Sequence, residues 1–120
     1  MSDLNTPSRT FTAEAVVEGY RIVKPGASGG VVKAAASSDL ILGTSGTRED
    51  CPVGGLLNLA LGALPRVRLG GTVAAGEPIT SDANGKGIKA TTTGQRHLGF
   101  AEVAGVADDI ITFIRSPGVL

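Results

Sequence analysis

The sequence predicts a small all-β fold, on three observations. Short apolar runs are punctuated by Gly, Pro, Asn and Asp every ~8–12 residues, the spacing of sandwich and barrel strands. Within those runs apolar and polar side chains alternate, which places them on opposite faces of a strand. Finally, an ordered series of matches recurs at an offset of about 56 residues. The fold class expected is a small β-barrel or sandwich with an internal pseudo-twofold repeat and a flexible N-terminal arm. The arm is expected over residues 1–10 and a single β-barrel domain over 11–120, with repeat halves at about 16–62 and 73–116.

Residues 1–10 are polar, turn-prone and without periodicity, hence the arm. Ala13 to Gly19 could form about one helical turn, but the β-branched pair Val16 and Val17 opposes anything longer. Pro25 to Gly30 reads as a Gly-rich turn. Leu57, Leu59 and Leu61 share one strand face, with Asn58 and Ala60 on the other. Pro65 inside an apolar run predicts an edge strand or a bulge. Val67 and Leu69 then oppose Arg66 and Arg68. Asp82 to Gly87 is a strong turn, because Asn and Gly tolerate positive φ. In the last strand Ile111 and Phe113 oppose Ile110, Thr112 and Ile114, so that both faces are apolar.

The repeat matches Gly19-Tyr20-Arg21-Ile22 to Gly76-Glu77-Pro78-Ile79, Val32-Lys33-Ala34 to Ile88-Lys89-Ala90, and Leu42-Gly43 to Leu98-Gly99. Leu57-Asn58-Leu59-Ala60 matches Ile111-Thr112-Phe113-Ile114. Two copies of a strand–turn–strand–loop–strand unit closing a barrel are implied.

Composition narrows the function. The chain has 120 residues, no Trp, one Tyr, three Phe and 18 Gly, so its core must rest on aliphatic side chains and is thin. Such a core is helped by contacts with other chains. Eleven basic residues balance eleven acidic ones, without the basic stripe or interleaved aromatics of a nucleic-acid binder. No apolar run reaches membrane-spanning length and the N-terminus has no signal-peptide core, so a protein made and kept in the cytosol, or in something assembled there, is expected.

Candidate chemistry is sparse. His97 is the one His and cannot belong to a multi-histidine metal site. Cys51, the one Cys, excludes an internal disulfide; a thiolate beside Arg48 would be opposed by Glu49 and Asp50. Asp108 and Asp109, like Asp39, read as solvated turn carboxylates. Gly26 to Gly30 leads into Val31-Val32, a strand, where a phosphate-cradling loop would lead into a helix. Expected, therefore, are no catalytic residues, no cofactor and no metal.

The ordered series Thr10 to Ala15, Tyr20 to Lys24, Gly70 to Lys86 and Ala107 to Ile114, closed by Pro117-Gly118, resembles a family of small tailed-phage capsid decoration (cement) proteins. The resemblance runs from about Thr10 to Gly118; the stretch Gly46 to Gly55, with Cys51, has no counterpart in it. It implies a virion protein on the outer capsid surface, assembled in the host cytoplasm. Its partners would be the major capsid protein and itself, as a homotrimer, with no nucleic acid or membrane partner. A polar arm can add a strand to an exposed sheet edge, and Thr6, Pro7, Ser8, Arg9 and Thr10 are the expected capsid contacts. Gly70 to Ile79 is also similar to the turn of biotinyl and lipoyl carrier domains, which would make Lys86 the attachment residue. Another small β-barrel component of a phage tail or head is the third reading.

Overall fold

A computed structural model describes residues 8–46, 49–60 and 65–120. Ten strands are present: β1 (Ser8–Thr12), β2 (Ile22–Pro25), β3 (Val31–Lys33), β4 (Gly43–Ser45), β5 (Leu56–Ala60), β6 (Arg66–Arg68), β7 (Pro78–Ser81), β8 (Gly87–Lys89), β9 (Arg96–Ala101) and β10 (Ile110–Val119). They form two antiparallel five-stranded sheets, ordered β1-β5-β4-β2-β3 and β6-β10-β9-β7-β8. The two orders are the same, strand for strand, so the repeat is a repeat of topology.

Each set of five strands rolls up on itself. An isolated parallel bridge, Ala13 to Val31, joins the end of β1 to β3, and Leu69 to Gly87 joins the end of β6 to β8. A second bridge pins the connecting loop in each unit, Val17 to Cys51 and Val73 to Gly105. Residues 13–19 follow these bridges and form no helical turn, since their backbone groups are used across the unit: the Ala13 and Val17 amides donate to Gly55 and Cys51.

Positive φ is needed at matching places, which explains part of the Gly content. Gly29 (φ 87) corresponds to Gly85 (φ 74), and Tyr20 (φ 57) to Gly76 (φ 86). A non-Gly residue in this region costs ~1 kcal/mol, so Tyr20 carries strain that Gly76 does not.

The core divides with the sheets. One cluster joins Ala13, Val17, Val23, Val31, Cys51, Leu57 and Leu59, all from the first unit. The other joins Val67, Leu69, Val73, Ile79, Leu98, Ala101, Ile111 and Phe113 of the second unit with Ile22 and Ala34 of the first. Period-two alternation explains the split: Val23 faces its own core, so its neighbour Ile22 points outward into the other unit. As expected, Val67 and Leu69 are buried and Arg66 is exposed, and Pro65 precedes β6, an edge strand of its sheet.

The arm needs a correction. Ser8, Arg9 and Thr10 are already strand, paired with Ala60, Leu59 and Asn58. Residues 1–7, including Thr6 and Pro7, lie outside the described residues.

Candidate functional site

The residues singled out for chemistry are dispersed, and all but His97 are engaged in local hydrogen bonds or ion pairs. His97, on β9, is half-buried; its ring is tilted 47° against Phe100 with centroids 5.2 Å apart, and its Nδ1 is buried without a hydrogen-bond partner. Cys51 is in the first core. Its Sγ donates to the Pro52 carbonyl at 3.7 Å. Three amides of the Gly26 to Gly30 loop are taken within the unit: Gly26 donates to the Gly30 carbonyl at 2.8 Å, and Glu14 accepts from Ser28 at 3.0 Å and Gly30 at 2.6 Å. Among the described residues no group of three His, Cys, Asp or Glu is placed to hold a metal ion, and no helix is long and apolar enough to cross a membrane.

The carboxylates hold turns and pair with lysines. Asp39 accepts from the Ala35 and Ala36 amides at 2.8 and 3.0 Å and meets Lys24 at 3.2 Å. The Ala35 amide bond first, then the Lys24 ammonium and the Ala36 amide, hold its pKa below the ordinary value. Gln95 makes the same two bonds in the second unit, to Thr91 and Thr92. Hydrogen bonding from Lys33 lowers the pKa of Glu18, and that from Lys89 lowers Glu77. Asp109 accepts from the Val106 amide at 2.9 Å.

Lys86 is not at a free hairpin tip. Its ammonium lies 2.7 Å from Asp108, whose pKa it lowers. The turn that carries it is docked against the first unit: Ile22 N donates to the Gly85 carbonyl at 2.7 Å and Arg21 to the Asn84 carbonyl at 2.9 Å. A carrier lysine must reach distant sites, and this turn is part of the seam between units.

That seam is one-sided. It uses Tyr20, Arg21, Ile22 and Ser37 of the first unit and Arg68, Thr80, Asn84, Gly85 and Arg96 of the second. A two-fold arrangement would place Gly29 against Pro78, as Gly85 is against Ile22; a Cβ added at Gly29 meets nothing within 4 Å, whereas one at Gly85 would lie 2.9 Å from the Ile22 carbonyl. The units are packed front to back.

Front-to-back packing leaves one sheet face open. In the first unit, the row Ile22–Thr44–Ala60 crosses β2, β4 and β5, and Ile22 and Thr44 are fully buried. The equivalent row in the second unit is Pro78–Phe100–Ile114, across β7, β9 and β10. Phe100 is 36 % exposed and Ile114 51 %. The signal for this face was the last strand, apolar on both sides; its partners on β7 and β9 were not legible from spacing.

Of the expected capsid contacts, Thr10 is exposed on the strand edge, its hydroxyl donating to Asn58 Oδ1 at 3.0 Å. Ser8 and Arg9 are fixed in the same ladder.

The fold defines a class: a duplicated, all-β unit whose copies pack front to back. No protein-family model matches the sequence, and no curated protein matches it. Among solved structures, the crystal structure of the head fiber gp8.5 N base in bacteriophage phi29 is similar, with a TM-score of 0.71 and 19 % sequence identity over 92 % of this chain and 94 % of that one. At that identity the likeness establishes the fold.

Proposed function

We propose that this chain is a non-enzymatic structural protein of a phage virion, and within that class a decoration protein bound as a homotrimer to the outside of the capsid. One observation carries the reading: its fold matches, over nearly the full length of both chains, a base domain of a phage head fiber. The cement-family resemblance of residues 10–118 points to the same surface. The physical character agrees. A near-neutral charge balance suits a protein that sits on other proteins, and a thin aliphatic core is stabilised by mass action when the docked state is favoured.

The major capsid protein is the proposed partner. Because Ser8 to Thr10 belong to β1, the shell contact is assigned to residues 1–7 together with exposed Thr10. The test is binding of purified protein to undecorated capsids, followed by cryo-electron microscopy. Ordered density near local threefold positions and a shell more resistant to heat are expected. Absence of binding at saturating protein overturns the capsid assignment. Deleting residues 1–7 should abolish binding while the melting transition is retained; unchanged binding removes this segment from the contact.

A further inference from the structure

The last strand, β10, is interrupted before its end. Its pairing with β9 is regular up to Arg115 with Gly99 and resumes at Gly118 with His97, a bulge that contains Pro117. Proline has no N–H to give to the ladder, so the interruption falls where a bond would be missing in any case. Gly118 follows it because a Cβ there would lie 3.0 Å from the His97 ring. Beyond the bulge the strand is tied down again: Leu120 donates to the Gln95 carbonyl and accepts from the Gly94 amide, both at 2.7 Å. From the first unit, the Ser37 carbonyl accepts from Arg96 N at 2.8 Å, which holds the segment after Ser37 alongside. Between these fixed edges lies a cleft of about 220 Å³, lined by Leu40 and Ile41 of the first unit and by Arg96, His97, Pro117 and Val119 of the second.

The cleft is apolar, with Leu40 and Val119 both more than half exposed, and its cation is unpaired. All four lysines of the chain have a carboxylate partner: Lys24 meets Asp39, Lys33 meets Glu18, Lys86 meets Asp108 and Lys89 meets Glu77. Arg96 is half-buried, yet its guanidinium has no ion pair or hydrogen bond among the described residues. Neither has that of Arg115, which lines a narrower cleft sharing Ile41 and Pro117 with the first. A guanidinium beside apolar walls selects a carboxylate, which it grips through two parallel hydrogen bonds. The chain's own carboxylates are largely engaged elsewhere. Asp39 and Asp109 hold turn amides, Asp108 is paired with Lys86, and Glu102 accepts from the Thr112 hydroxyl.

We propose that this cleft docks a segment of another protein that carries a carboxylate beside an aliphatic side chain, with the carboxylate on Arg96 and the side chain against Leu40, Ile41 and Pro117. The inference goes beyond the proposed function and does not rest on the capsid being that partner. A protein segment fits the site better than a small molecule, whose pockets are larger, roughly 300–1,000 Å³. The apolar surface also continues past the cleft. The His97 ring packs on Phe100, and Phe100 is paired with Ile114, both of them exposed. An arginine set in an apolar surround that excludes water is the arrangement in which a protein interface concentrates its affinity. With its edges pinned by backbone hydrogen bonds, the cleft is formed before the partner arrives, so little ordering cost is left to binding.

Amide NMR spectra of the full chain, titrated with acetyl-Ala-Leu-Glu-Leu-Ala-amide and with its Gln counterpart, test this. The Glu peptide should shift Leu40, Arg96, His97 and Val119 with a dissociation constant of about 1 mM, and the Gln peptide should bind about fivefold more weakly. Arg96→Gln should remove that difference, and Leu40→Ser should weaken both peptides, with melting temperatures nearly unchanged. Should Arg96→Gln fail to fold, salt serves: in the natural chain about 0.5 M salt should bring the two peptides together. No saturable shift at about 10 mM peptide overturns the proposal, as does equal binding of the two peptides at low salt. Capsid binding by a chain that shows no peptide shift overturns this inference while the proposed function stands. The expected peptide binding without any capsid binding supports the inference and sinks the capsid reading. Self-association that Arg96→Gln abolishes puts a second copy in the cleft and overturns the assignment to another protein.

Discussion

At equivalent turns the two units differ in one neighbour. Gly29, in the first, has open space where a Cβ would sit, while Gly85, in the second, is pressed against the Ile22 carbonyl. The same strand order and the same positive φ thus serve a free hairpin in one unit and a structural joint in the other. Front-to-back packing buries Ile22 and Thr44 of the first unit's row and leaves Phe100 and Ile114, of the counterpart row in the second unit, facing outward.

The strongest way to break this comparison is at Ile22 and its counterpart Pro78. Ile22→Ala removes a fully buried side chain that spans the seam and should cost about 3 kcal/mol in denaturant unfolding. Pro78→Ala, at the equivalent but half-buried position, should stay within about 1 kcal/mol. Equal costs would refute a one-sided seam.

A smaller effect separates the turns. Gly29→Ala and Gly85→Ala both force a side chain into positive φ, at ~1 kcal/mol each. Gly85→Ala should cost about 1 kcal/mol more, because the added methyl also meets the Ile22 carbonyl. Thermal unfolding of the two variants side by side checks the difference.

Acid distinguishes the units next. Asp39 holds two amides of the first unit as a carboxylate, whereas neutral Gln95 holds the matching pair. The folded pKa of Asp39 lies below its unfolded value, so its contribution is full above the unfolded pKa and is lost as pH falls through the folded one. Amide exchange below about pH 4 should therefore speed up at Ala35 and Ala36 before Thr91 and Thr92. Simultaneous loss would mean that Asp39 contributes no local charge-dependent stability.

The smallest expected change is at Thr44. Its hydroxyl is fully buried without a hydrogen-bond partner, so Thr44→Val should be neutral or stabilise by up to ~1 kcal/mol in the same unfolding assay. Marked destabilisation would reveal a partner for the hydroxyl, such as a buried water.

Much of the unit was legible because period two and turn chemistry are local. Val32-Lys33 and Ile88-Lys89 lie at equivalent positions of β3 and β8, each followed directly by its matched Ala34 or Ala90, and Leu42-Gly43 and Leu98-Gly99 lead into β4 and the equivalent part of β9. The Asp82 to Gly87 turn forms as its residues require, with Asp82 accepting from the Asn84 and Lys86 amides. The first match of the repeat was one residue out of step: identity suggested Ile22 with Ile79, but the strands equate Ile22 with Pro78 and Val23 with Ile79. A one-residue slip exchanges the two faces of a strand, and the shared isoleucine concealed that one copy faces its own core and the other the neighbouring unit.

By itself, then, the sequence determined the strand class, the turn positions and the existence of a repeated unit, because alternation, Gly placement and Pro placement act through the nearest few residues. Only the tertiary structure decided that each unit rolls up on itself, that the seam joins unlike surfaces, and that Phe100 and Ile114 are left facing outward. Those outcomes depend on which apolar face meets which, and faces of equal hydrophobicity are alike in sequence until the packing assigns them partners.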